Sequence, residues 1–301
     1  MQRSRSAARR SINGIFILDK PAGVSSNTAL QMVKRRFSAL KAGHTGSLDP
    51  VATGVLPILF GEATKFSQYL IDSDKSYFVR AKHCVETTTG DCDGEILLVQ
   101  NVPPLTFNLL RSYMDHFRGA ITQIPPMFSA VKQQGKHLYE LARKGLVVDR
   151  KSRDVNIYFS QLTAFDPMTA EFEFHVKVSK GTYIRTLVED IGKLIGCGAH
   201  LTGLRRLTAG FFDLTHSHSM DSLDIEAADV RLLYPLDLLF KDFVCMSVCE
   251  SSQRRLMMGQ ALKLESSPVG LVALFSINGF FGLGEGFEGG VIRPRRLMST
   301  Q

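Results

Sequence analysis

Cysteine and long apolar runs are both scarce in this 301-residue chain, and each shortage excludes something. The five cysteines, Cys84, Cys92, Cys197, Cys245 and Cys249, are odd in number and irregularly spaced, which argues against a disulfide framework. Cys245 and Cys249 have no second Cys or His pair at zinc-ligand spacing, so no metal site is expected. No apolar run approaches the length of a membrane span, and no apolar segment follows the four arginines of the first ten residues. Neither a signal peptide nor a membrane partner is therefore expected, and the basic start, residues 1–11, reads as a solvated, flexible tail. Cytoplasmic location is the simplest expectation, and a monomer is the default for the oligomeric state. What the chain does have is 44% hydrophobic content, enough for a large core with room for a second small domain. Its formal net charge of +7 and pI near 9.2 favour a polyanionic partner, and by charge alone RNA, DNA and an anionic membrane surface all qualify.

The most informative segment is AGHTGSLDPVATGVLPILFG, residues 42–61. Gly43, Gly46, Pro50, Gly54 and Pro57 predict a repeatedly turning loop rather than a long regular element, and the loop holds one carboxylate, Asp49. By residue type alone, Asp before Pro is turn chemistry. Around it, strand and helix signals alternate without an internal repeat. Ser25 and Ser26 offer caps for a helix to about Phe37 that shares Leu30, Val33 and Phe37 on one face, and a second helix is expected over Glu62–Leu70. Strands are expected over Tyr77–Val85, Val155–Phe165 and the alternating Phe172–Val178. An apolar stripe from Ile184 to Ile195 predicts a helix capped by Thr182. Arg185 would then lie in its first turn, where a cation opposes the helix dipole, so it is expected to serve something outside the helix, for which a buried carboxylate is one candidate and solvent the other.

The string HTGSLDPVATGVLPI closely resembles the active-site motif of the TruB-type family, the bacterial tRNA pseudouridine synthases that modify uridine 55 of the T-loop. The resemblance continues in GIFILDKPAGVSSN (14–27), KSYFVRAK (75–82), the acidic turn TTGDCDGE (88–95), IPPMFSAVKQQGKHLYELARKG (124–145), SKGTYIRTLVEDIG (179–192) and CGAHLTGLRRLTAGFF (197–212). Ser47 and Val51 stand where the family commonly has alanine and leucine, and neither change removes a reactive group.

The resemblance implies an α+β pseudouridine synthase fold, with a mixed central sheet and flanking helices over residues 12–243 and an RNA-binding insertion at about 124–152. A small β-rich, PUA-like RNA-binding domain is expected over 244–301. It implies isomerisation of uridine 55 in tRNA with Asp49 as nucleophile and no cofactor. Arg185 would pair with Asp49, Tyr77 would stack on the target uracil, and His44 would fill the space left by the flipped base. Tyr183 and Leu204 would line the uracil pocket, and Lys20 would hold the catalytic loop or meet phosphate. From the residues themselves, Lys132, Lys136, Arg143, Lys144, Arg205 and Arg206 are candidates for the RNA backbone. The partner implied is tRNA, gripped at its T-loop and toward its acceptor end. Two other readings stay open at this level: an RNA-binding module without catalysis, and a related synthase acting on ribosomal RNA.

Overall fold

The computed structural model describes residues 9–101, 103–223 and 229–299. Most of the predicted basic tail, residues 1–8, lies outside the described residues. Ten strands form one mixed sheet. Its main members are β1 (Gly14–Lys20), β2 (Thr53–Phe60), β3 (Lys75–His83), β4 (Gly119–Gln123), β5 (Arg153–Asp166), β6 (Glu171–Val178) and β7 (Ala199–Ala209). They lie in the order β1-β2-β7-β3-β6-β5-β4. Neighbours are antiparallel except β2 and β7, which meet in parallel at Thr53–Gly54.

Because side chains alternate across a strand, the two most buried strands feed two cores. Phe16, Leu18, Leu56, Ile58 and Phe60 enter one, together with Ile184, Leu187, Val188 and Ile191 of helix α3 (Ile184–Ile195) and Leu30 and Val33 of helix α1 (Ser26–Arg36). Ile15, Ile17, Val55 and Leu59 enter the other, where Phe66 and Phe240 meet Ala273 and Leu283 of a separate C-terminal sheet. That sheet has five strands, Val244–Ser247, Leu262–Lys263, Gly270–Ser276, Gly279–Phe287 and Val291–Leu297, with one helix, Glu250–Met257. A shared apolar cluster thus seats the C-terminal sheet on the back of the large one.

The expected turning loop over 42–61 is corrected in one respect: Ala42–His44 and Thr53–Phe60 are paired strands, and only the stretch between them is loop. Gly54, with φ of 102°, allows the close approach of the neighbouring strand; a Cβ there would stand 2.2 Å from the Arg206 carbonyl oxygen. Pro57 is tolerated because its carbonyl accepts from the Thr45 amide at 3.1 Å, on the side where Ala42–His44 peels away. A strand residue's N–H points to the same side as its C=O, so the missing donor falls where the ladder ends. The helix predicted over Glu62–Leu70 is a 3-10 turn, Gly61–Phe66, followed by a short α-helix, Ser67–Ile71.

Candidate active site

The loop carrying Asp49 is clamped from several directions. Ser26, expected to share in capping α1, instead turns inward: its Oγ donates to the Leu48 carbonyl at 2.9 Å and accepts from the Leu48 amide at 2.7 Å, while Ser25 caps the helix. Lys20, at the end of β1, is fully buried and donates from Nζ to the carbonyls of Pro21 (2.8 Å), Val24 (2.7 Å) and Pro50 (3.4 Å). Burial lowers its pKa to about 8, with the Asp49 charge opposing and the Arg206 charge adding to the fall. Of the two roles expected for Lys20, holding the loop is the one its geometry matches, since a fully buried amine cannot meet a phosphate at the surface.

Asp49 keeps 38% of its side-chain area open while the guanidinium behind it, Arg185, keeps only 4%. Arg185 Nε lies 3.0 Å from Asp49 Oδ2 and 3.7 Å from Asp91 Oδ2. Its Nη1 and Nη2 donate to the carbonyls of Thr89 (2.8 Å) and Phe128 (2.7 Å) respectively. One side chain therefore joins the Asp49 loop, the acidic turn and the 124–152 segment. Burial raises the pKa of Asp49 above the usual carboxylate value; Arg185 opposes this, Asp91 reinforces it, and Lys20 opposes it again. Arg185 thus favours the anion, yet desolvation is the larger effect. The carboxylate is thus held on one side by a buried cation while its other side stays open.

Arg185 sits where it does because a glutamine, rather than Thr182, brackets the helix start. Tyr183 is the N-cap residue; its amide donates to Gln123 Oε1 at 3.0 Å, and its carbonyl accepts from Gln123 Nε2 at 3.3 Å. Thr182 Oγ1 instead donates to Ser179 O at 2.9 Å. The Tyr183 ring is half-buried, with the Arg153 guanidinium 5.5 Å from its centroid.

Arg206 needs correction. Expected on the RNA backbone, it is 1% exposed and donates from Nε to Val55 O (2.6 Å) and from Nη2 to Gly46 O (3.0 Å). It has no open face for a phosphate and instead holds both ends of the Asp49 loop. Arg205 is only partly open and is forked onto Asp19, Nη1 to Oδ1 at 3.1 Å and Nη2 to Oδ2 at 2.7 Å, so it too is already engaged. Tyr77 is buried in the same core as Leu48, and Leu204 is half-buried against that core. Burial and the nearby Arg206 lower the pKa of half-buried His44, which keeps its ring neutral near pH 7. His44 Nδ1 and Thr45 Oγ1 are buried without partners among the described residues.

Lys132, Lys136, Arg143 and Lys144 are all exposed, in a hairpin (Lys132–Gln133 with Lys136–His137) and the short helix Leu138–Ala142 with the turn after it. Two site residues escaped sequence reasoning. Asp91 is 5% exposed, with Oδ1 accepting from Thr89 Oγ1 (2.5 Å) and the Asp93 amide (3.1 Å), and its only signal was the acidic turn. Gln123 is 1% exposed and carried no signal at all.

The whole arrangement is that of a pseudouridine synthase fold. The chain superposes with a TM-score of 0.67 on a chain of the solved Cbf5-Nop10-Gar1 complex, covering 92% of this chain and 79% of that one at 23% identity, a likeness of fold. A family model described as TruB family pseudouridylate synthase (N terminal domain) matches residues 34–184. Those described as tRNA pseudouridylate synthase B C-terminal domain and Pseudouridine synthase II TruB, C-terminal, match 185–239 and 247–298. Among similar proteins, the tRNA pseudouridine synthase B of Methylobacillus flagellatus is 48% identical over 294 residues, 96% of each chain. That of Chromohalobacter salexigens is 46% identical over 297 residues, 96% of this chain and 95% of its own. The chain belongs to the TruB family of pseudouridylate synthases and is a pseudouridine synthase.

Proposed function

We propose that this enzyme isomerises uridine 55 in the T-loop of tRNA, with Asp49 as the nucleophile on a flipped-out nucleotide. The observation that carries this reading is the half-open Asp49 carboxylate held 3.0 Å from a buried Arg185. In the reaction the ribose C1′–N1 bond breaks, the uracil turns, C1′ bonds to C5, and the C5 hydrogen is replaced by one on N1. No atom is gained or lost, so no redox cofactor or energy donor is needed. Asp49 supplies the anionic oxygen, and Arg185 orients it from behind without competing for the open face. Tyr77 offers an aromatic face to the uracil, and Tyr183 and Leu204 line its pocket. Flipping costs a few kcal/mol of stacking. His44, neutral and with an unpaired ring nitrogen, enters the vacated space in the T-loop.

The tRNA assignment rests on the names of the similar proteins, each a tRNA pseudouridine synthase B, and position 55 on the HTGSLDP string. Lys132, Lys136, Arg143 and Lys144 would track the backbone, and the C-terminal sheet would act as a PUA-like module toward the acceptor end. The test is pseudouridine formation on an unmodified tRNA transcript, by wild type and Asp49→Asn in parallel, with the modified position mapped. Product at uridine 55 from wild type alone is expected. Product at another position would overturn the site assignment, and multiple turnover by the variant would overturn the nucleophile. Tight binding without product from either would favour the noncatalytic reading.

A further inference from the structure

At the far end of α3 from Arg185, three chemically matched side chains converge that the isomerisation does not use. His83 ends β3, Cys84 follows it, and Cys197 stands just beyond the left-handed Gly196 that closes α3. All three are buried, at 0%, 3% and 3% exposure. One ligand atom from each lies within 4.8 Å of the others; His83 Nδ1 is 2.9 Å from Cys84 Sγ and 3.6 Å from Cys197 Sγ. The spacing rules that predicted no metal site could not see this cluster, because Cys197 arrives from more than a hundred residues away.

From this convergence we propose that His83, Cys84 and Cys197 form a binding site for a single zinc-class divalent ion. Two thiolates and an imidazole are a soft donor set of the kind that selects zinc. Each ion bound would displace the two thiol protons to solvent, and two thiolates balance a divalent charge, so the buried site would carry none. The walls are apolar on one side, with the Phe165 and Phe172 rings 5.8 and 6.5 Å from the imidazole. The thiols now donate to the carbonyls of Asn101 (3.6 Å) and Gly198 (3.7 Å), so backbone oxygens stand beside the sulfurs as further donors.

The backbone favours the same reading. Cys84 has φ of 67°, a left-handed conformation in which glycine is the relaxed choice, yet a thiol is placed there. Its amide donates to Gly198 O at 2.8 Å, strapping the two cysteine-bearing segments side by side. His83 Nε2 has no partner among the described residues, so the hydrogen-bonding contacts of the ring are all on its sulfur side. An ion here would pin the C-terminal end of the Arg185 helix to the end of the strand that carries Tyr77.

The exposed Cys92, Cys245 and Cys249 are first changed to Ser, leaving only the buried pair of thiols. The protein is then expressed in zinc- or cobalt-supplemented medium, so that metal is available as the chain folds and burial is no barrier to entry. Native mass spectrometry should find a single ion per chain, the cobalt form should show thiolate-to-cobalt charge-transfer absorption, and the melting temperature should rise relative to metal-free protein. Cys84→Gly in the same background removes one ligand at a position glycine accepts without strain, so it should stay folded and lose the ion, the absorption and the thermal shift together. Absence of metal from the parent, or full retention of the cobalt band in Cys84→Gly, would overturn the proposal.

Discussion

The loop around Asp49 and the insertion at 124–152 are the two regions rich in functional side chains, and they are built in opposite ways. Around Asp49 the charged groups are buried and mutually committed: Lys20, Arg185 and Arg206 are each below 5% exposure and spend their donors on carbonyls or carboxylates of the loop and its neighbours. In the insertion, Lys132, Lys136, Arg143 and Lys144 are exposed, and none of them is ion-paired among the described residues. The difference fits the work proposed for each region. A covalent step needs a carboxylate fixed to within fractions of an ångström, which buried hydrogen-bonded charges provide. Gripping a phosphate chain needs solvated cations that give up counterions on contact, and rigid placement adds little. Arg185 links the two regions, donating to the Phe128 carbonyl at 2.7 Å, so the insertion is anchored through the same cation that pairs with Asp49.

Substitutions can break this contrast in order of severity. Asp49→Asn should lower turnover by roughly four or more orders of magnitude with the fold intact, as removal of nucleophiles does elsewhere; single-turnover kinetics alongside circular dichroism checks both halves of the claim. Arg185→Ala leaves the buried Asp91 without its cation and should cost about 3–5 kcal/mol of stability, read by urea denaturation. Because Arg185 opposes the upward shift at Asp49, its loss raises that pKa further, so the acid limb of the kcat/KM profile should move to higher pH. A limb that stays in place would show that Arg185 acts on position alone.

Lys20 gives a finer test through linkage. Its folded pKa, about 8, lies below the ordinary 10.5, so between those values the unfolded chain holds a proton that the folded one has released. Stability from this group therefore rises with pH across that window, and the charged form is disfavoured in the fold below it. The stability of wild type relative to Lys20→Met should climb between about pH 8 and 10.5, and a flat difference would place Lys20 in solvent. The smallest effect belongs to the insertion. Changing Lys132, Lys136, Arg143 and Lys144 together to Ala should leave single-turnover rates at saturating RNA nearly unchanged. It should weaken binding and reduce the slope of log K against log salt by roughly 0.7–0.9 for each phosphate no longer neutralised.

Much of this was legible in one dimension where the signal is local. The helix bearing Leu30 and Val33, the alternating strand Phe172–Val178 and the α3 stripe follow from period, because the side-chain direction of a residue depends on its own backbone. Arg185 drew attention through its wrong position in a helix dipole, and in the structure it spends its donors outside its helix, on Asp49 among others. Arg206 misled, since two adjacent arginines on one strand point to opposite faces: Arg205 toward Asp19 and partial solvent, Arg206 into the core. Thr182 misled too, because the helix start is satisfied by an amide side chain from β4, sixty residues upstream.

What the sequence by itself determined is the inventory of chemistry and its local frame: one carboxylate in a Gly/Pro-rich segment, an arginine at a helix start, basic residues interleaved with apolar ones and the motif order that marks the family. Tertiary structure alone decided which charges are buried, which are free, and which pairs meet. Asp91, Gln123, the Lys20 contact to Pro50 and the convergence of His83 and Cys84 with Cys197 all depend on groups delivered by distant segments. The physical reason is that desolvation and hydrogen-bond partnership are properties of a neighbourhood, and a neighbourhood exists only after the sheet has brought its strands side by side.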